Sequence, residues 1–183
     1  MTDSGKLHYF LGIAITRNAS GLFLSQRNYA ADILHRANMT NCSSCTTPAD
    51  SRTKLDAAEE PFVPDPTLYR SLAGALQYLT FTRPDISFAV QQICLFMHDP
   101  RETHLAVLKC ILRYIKGTLD YGLQLYPSTT LGRFPIYTTL HLRILHLPRD
   151  NLISWSSKRQ HTVSRSNAES EYRGVANVIA KTT

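Results

Sequence analysis

No apolar run in the 183-residue sequence is long enough to cross a bilayer, so a membrane-spanning helix is not expected. The opening residues, MTDSGKLHYF, lack the cationic start and apolar core of a secretory leader. The reading is an intracellular chain of unassigned compartment, with no membrane partner. Acidic residues are scarce: 14 Asp and Glu stand against 20 Lys and Arg, giving a net charge of +6 and a pI near 9.3. That balance admits nucleic acid as a partner without requiring it. Cysteine is also sparse, at Cys42, Cys45, Cys94 and Cys110. The pair Cys42-Ser-Ser-Cys45 is a lone C-x-x-C in a loop-like setting. A structural zinc site needs two further ligands at suitable spacing, and none follows closely. Cys94 and Cys110 fall in helical patterns and read as buried apolar side chains, with reduced thiols as the default.

What is present is a 43% apolar share, enough for a core in one domain or two small ones. The organising stretch is Leu68 to Tyr126, which reads as three successive helices. Leu68, Leu72, Leu76 and Leu79 form the first apolar stripe. Thr82-Arg83-Pro84-Asp85 interrupts it, with Pro84 suited to a first helical position and Asp85 to the positive first turn. Ile86, Val90, Ile93 and Met97 form the second stripe, closed by Asp99-Pro100. Leu105, Leu108, Leu112 and Ile115 form the third, with Gly117 expected as a left-handed stop. Opposite that third stripe, Lys109, Arg113 and Lys116 recur at i, i+4 and i+7, with Arg101 and His104 nearby. On spacing alone this basic stripe is either a solvated helix surface or a phosphate-contacting face, and the first is the commoner outcome.

Upstream, LHYFLGIAI and LFLS flank the turn residues Arg17 to Gly21 and predict a hairpin. Gln26 to Ala37 predicts a short amphipathic helix with Tyr29, Ile33, Leu34 and Ala37 inward. Cys42 to Pro66 is a proline-rich connector carrying Asp56, Glu59 and Glu60, opposite in sign to the basic stripe. From Pro127 to Asp150 the pattern dissolves. A strand is conceivable there, and the spacing of His141, Arg143 and His146 matches no metal pattern. LISWS then predicts a strand. Ser166 to Glu169 is a capping box opening a helix with Ala168, Tyr172, Val175, Ala176 and Ile179 inward. Glu171 lies beside that face, where its simplest role is a surface carboxylate favoured by the dipole. The fold class expected is α+β, mainly helical.

Several segments together resemble the C-terminal part of the Pol polyprotein of Ty1/copia retrotransposons from plants. They are GKLHYFLGIAI, GLFLSQRNYAADIL, YRSLAGALQYLTFTRPDISFAV, HLAVLKCILRYIKGTLDYGLQLY and LISWSSKRQHTVSRSNAESEYRGVANVIA. The resemblance implies a layout. Residues 1–47 would be the end of a reverse-transcriptase palm (hairpin and helix), 48–66 a linker, and 67–126 a helical thumb and connection. Residues 127–150 would be a scrambled segment, and 151–183 a strand–helix remnant of an RNase H-like fold. It also implies that Lys109, Arg113 and Lys116 face a template–primer duplex, which raises the phosphate-contact reading.

The departures from the family bear on activity. Its polymerase aspartates include a Tyr-x-Asp-Asp hairpin, which the resemblance places ahead of Met1, and no such motif occurs here. Both of the family's reactions need magnesium pairs clamped by carboxylates. Its Asp-Ala-Asp-Trp segment is replaced by YTTLHLRILHLP, and only Glu171 matches an RNase H metal-ligand position, an incomplete site. The expectation is a truncated Pol fragment that is catalytically inactive alone, holds no cofactor, and binds RNA–DNA hybrid or duplex weakly and without base preference. The alternatives are residual magnesium-dependent RNase H activity or a domesticated protein-interaction module. The scrambled segment reads as a compensated frame lesion or mis-spliced gene, since loss of one G from codons for Tyr-Thr-Asp-Ala can give Tyr137-Thr-Thr-Leu140.

Overall fold

The computed structural model describes residues 7–49, 60–127, 136–139, 142–147 and 151–156, the last three ranges as backbone strands. The chain divides into two compact units, residues 1–15 with 25–122, and residues 16–24 with 123–183. Four helices and two sheets make it a mixed α+β chain among the described residues.

The first unit holds all four helices. Helix α1 spans Arg27–Arg36 and buries Ala30, Ile33 and Leu34. Helix α2 spans Pro66–Leu79 and begins at a built N-terminus. Proline there lacks an amide that would have no intrahelical partner anyway. Asp65 Oδ1 accepts from the amides of Thr67 and Leu68 at 3.0 and 2.9 Å, a cap that stabilises a helix by about 1 kcal/mol. A single 3-10 turn, Pro84–Ile86, leads into helix α3, Ser87–Cys94. Helix α4, Glu102–Gly117, is the longest at 16 residues. Its Leu108, Ile111, Leu112 and Ile115 are fully buried. They join Leu72, Leu76, Leu79, Ile86, Val90 and Ile93 in one core. Burying each such side chain contributes about 1.5–3 kcal/mol relative to exposure.

The three apolar stripes therefore exist, with corrections at their ends. Leu68 is 40% exposed, and Tyr69 takes its place in the core with its hydroxyl donating to the Ile93 carbonyl at 2.8 Å. A tyrosine with an internal acceptor fills an interior position that a leucine-only stripe passes over. Helix α3 stops at Cys94, and Arg70 satisfies the freed carbonyls of Met97 and His98 at 2.8 and 3.4 Å. Gly117 is the last helical residue and not a left-handed stop; among the described residues the positive-φ glycines are Gly12 and Gly21. Its lack of a Cβ serves close approach instead, because a Cβ there would lie 2.9 Å from Ser44 Cβ. Cys94 and Cys110 are only partly buried rather than fully buried as expected, and Cys110 lies beside Cys45.

The run LHYFLGIAI is two strands rather than one. Strand β1, Tyr9–Phe10, turns at Leu11 and Gly12 into β2, Ile13–Asn18. Both turn residues have positive φ, as a two-residue hairpin loop requires. The Tyr78 hydroxyl donates to the Leu11 carbonyl and ties this turn to α2.

In the second unit, β3 (Gly21–Ser25) pairs antiparallel with β4 (Leu123–Leu125), with Phe23 opposite Gln124. Strand β4 lies in a stretch read as the end of a helical subdomain. Gly21 is required where that strand arrives, since a Cβ at its φ of +134° would fall 2.0 Å from the Leu125 carbonyl oxygen. A separate three-stranded antiparallel sheet comprises β5 (Ile136–Thr139), β6 (Leu142–Leu147) and β7 (Asn151–Ser156). It gives the segment without a legible pattern two strands and realises the LISWS strand. The expected last helix and Glu171 lie outside the described residues.

Candidate nucleic-acid interface

Helix α4 carries the basic stripe. Its core face is fixed by four residues of zero exposure, so the flank that carries the stripe is held in a set direction. Lys109 and Arg113 are exposed and Lys116 is half-buried. Helical spacing places the three on one side. Neither lysine has an ion-pair partner among the described residues. Arg113 is partly engaged: its Nε donates to the Ser43 carbonyl at 3.0 Å and an Nη to Ser43 Oγ at 3.4 Å. Those bonds use only part of the five N–H donors of the guanidinium.

Two residues near the stripe do not belong to it. His104 is buried, accepts at Nδ1 from the Arg101 amide at 2.9 Å, and stacks on Phe96 with ring centroids 3.9 Å apart. It closes the first turn of α4 from the interior and does not project with the stripe. Arg101 is taken up by Asp99 at 2.7 Å, by the Glu60 carbonyl at 2.9 Å, and by the Phe62 ring, 3.8 Å below the guanidinium. Within the connector, Glu60 thus contributes a backbone carbonyl to Arg101, while Asp56 and Glu59 lie outside the described residues.

The end of α4 is set by a residue that sequence reading treated only as a helix breaker. Arg83 is 2% exposed. Its guanidinium forms a two-pronged pair with Asp85, Nε to Oδ1 at 2.9 Å and Nη2 to Oδ2 at 2.8 Å. It also donates to the carbonyl and hydroxyl of Thr118 at 2.9 and 2.7 Å, just past the last turn of α4. The rings of Tyr114 and Tyr121 flank it at 5.7 and 5.3 Å. Burial, and then the Asp85 carboxylate, push the Tyr114 hydroxyl pKa above its usual value. The signal was the Thr-Arg-Pro-Asp tetrapeptide: a cation and an anion two apart across a proline-started turn can close on each other.

The family's magnesium chemistry needs several converging carboxylates. Among the described residues no group of three or more His, Cys, Asp or Glu side chains could hold a metal. The described residues therefore do not fit that ion pair. Among the described residues, no helix is long and apolar enough to cross a membrane.

Comparison with known proteins bears on the origin of this arrangement. A reverse transcriptase (RNA-dependent DNA polymerase) family profile matches residues 1–51. An uncharacterised mitochondrial protein of Arabidopsis thaliana is 42% identical over 193 residues, covering all of this chain and 80% of that protein. The retrovirus-related Pol polyprotein from transposon RE1 of the same plant is 46% identical over 190 residues. The chain belongs to the Ty1/copia-type retrotransposon Pol family. A tobacco member, the Pol polyprotein from transposon TNT 1-94, is 32% identical over 190 residues. The RE1 match covers 98% of this chain but only 13% of that polyprotein, and the TNT 1-94 match 94% of this chain but only 14% of that one. No solved structure matches the chain.

Proposed function

We propose that this Ty1/copia Pol chain is a duplex-gripping module, the thumb-and-connection part of a reverse transcriptase. In this reading it binds RNA–DNA hybrid or other duplex weakly, without base preference, and is catalytically inactive by itself. The observation that carries it is α4: Lys109, Arg113 and Lys116 project from a helix whose other side is immobilised in the core. Cations held in fixed register along a helix can each meet a phosphate, and phosphate contacts carry no sequence information. Arg83 and Asp85 support the reading indirectly by locking the C-terminal end of that helix. The sign of the whole chain, +6, adds a long-range attraction to any polyanion.

The test is fluorescence anisotropy with hybrid duplexes of unrelated sequence. Equal affinities across sequences, and a loss of about tenfold or more in the Lys109→Ala, Arg113→Ala, Lys116→Ala variant at low salt, support the reading. Strong preference for one sequence, or full binding by the variant, contradicts it. A hybrid-cleavage assay with magnesium tests the inactive part of the reading. Cleavage that disappears in Glu171→Gln would show a working RNase H centre and overturn it.

A further inference from the structure

Two cysteines separated by 65 positions meet on the inner side of the loop that follows α1. Cys45 Sγ lies 3.9 Å from Cys110 Sγ. It also lies 3.2 Å from the Thr47 carbonyl and 3.3 Å from the Cys110 carbonyl, so the Cys45 thiol sits among acceptors. Both side chains are only partly buried. A dissolved oxidant can therefore reach them. The backbone holds the pair in place independently of the sulfurs. The Cys45 amide donates to the Arg113 carbonyl at 3.4 Å, and Arg113 Nε returns a bond to the Ser43 carbonyl at 3.0 Å. Gly117 lets Ser44 approach α4 closer than any side chain at that position would allow. A loop pressed onto a helix by these contacts keeps the two thiols together while both are reduced.

We infer that Cys45 and Cys110 form a reversible disulfide clasp between the post-α1 loop and α4, made by exchange with a low-molecular-weight disulfide of the glutathione type. The sulfurs must close from 3.9 Å to about 2.05 Å, a gap that side-chain rotation and a small loop shift can cover. One thiolate attacks a sulfur of the small disulfide, breaking its S–S bond and expelling one small thiolate, which takes up the released proton. The second protein thiolate then attacks the protein-bound sulfur of the mixed disulfide and expels the second small thiol. Two protein thiols are oxidised, one small disulfide is reduced to two thiols, and no other electron acceptor is needed. The clasp lies one helical turn before Arg113, so closing it also fixes Ser43 against that side chain. It does not depend on the nucleic-acid reading.

The experiment is to treat the purified chain with oxidised glutathione, alkylate the remaining thiols, and map the bridges by digestion without reduction. A Cys45–Cys110 linked peptide should dominate, with a mass loss of two hydrogens in the intact monomer. Cys45→Ser and Cys110→Ser should each abolish it, while Cys42→Ser and Cys94→Ser should leave it intact. Amide exchange over residues 41–47 should slow by about tenfold or more in the oxidised form and recover with dithiothreitol. A Cys42–Cys45 bridge as the main product, a disulfide-linked dimer, or unchanged exchange after oxidation would each overturn the proposal. So would all four thiols remaining open to alkylation while circular dichroism shows a folded chain.

Discussion

The buried guanidinium of Arg83 is clamped by the carboxylate of Asp85, two residues along the chain, with both oxygens engaged at 2.9 and 2.8 Å. Arg83 is 2% exposed and Asp85 about a third exposed, so removing the anion strands a cation in the interior. Truncating one partner of a buried pair typically costs about 3–5 kcal/mol, and partial exposure of Asp85 places the cost at the lower end. Asp85→Ala should therefore lower the urea midpoint by an amount equal to about 3 kcal/mol. Arg83→Lys should cost about as much, because an ammonium cannot hold Asp85 and Thr118 together in that fork.

Tyr69 gives a pH-dependent prediction. Burial, and secondarily the nearby Cys94, raise its hydroxyl pKa far above the usual value. The native state keeps the proton at a pH where the unfolded chain releases it. Stability is then complete below the unfolded tyrosine pKa of about 10 and falls as pH rises beyond it. Burial of Cys94 acts in the same direction from about pH 8.5 upward. Tyr69→Phe should cost about 1–2 kcal/mol at neutral pH by leaving the Ile93 carbonyl without its donor. It should also flatten the alkaline decline. Unfolding by urea between pH 7 and 11 checks both.

Helix α2 depends on its cap. Asp65 satisfies two amides of the first turn, so Asp65→Ala should destabilise by about 1 kcal/mol and Asp65→Ser by less. Denaturant melts of the two variants measure the difference.

The legible part of this fold was its apolar periodicity. Leu72, Leu76, Ile86, Val90, Ile93, Leu108, Leu112 and Ile115 were placed in the core by spacing alone, and all are buried. What spacing could not supply was anything carried by a partner distant in sequence. Tyr69 is interior because the Ile93 carbonyl awaits it, and Arg83 because Asp85 and Thr118 surround it. Cys110 meets Cys45 only after the loop folds onto α4. Strand β4 is not legible in its helical stretch because three residues are too few to show alternation, and only pairing with β3 defines them. The stripe on α4 was visible as spacing. That His104 and Arg101 are withdrawn from it depends on Phe96, Asp99 and Phe62, which no periodicity reveals.

The most direct measurement is the salt dependence of hybrid-duplex binding by the wild type and by the Lys109→Ala, Arg113→Ala, Lys116→Ala variant. Each phosphate contact contributes about 0.9 to the slope of log affinity against log salt. The variant should stay folded, with its slope shallower than wild type by about 2–3. Identical slopes in two folded proteins would contradict it.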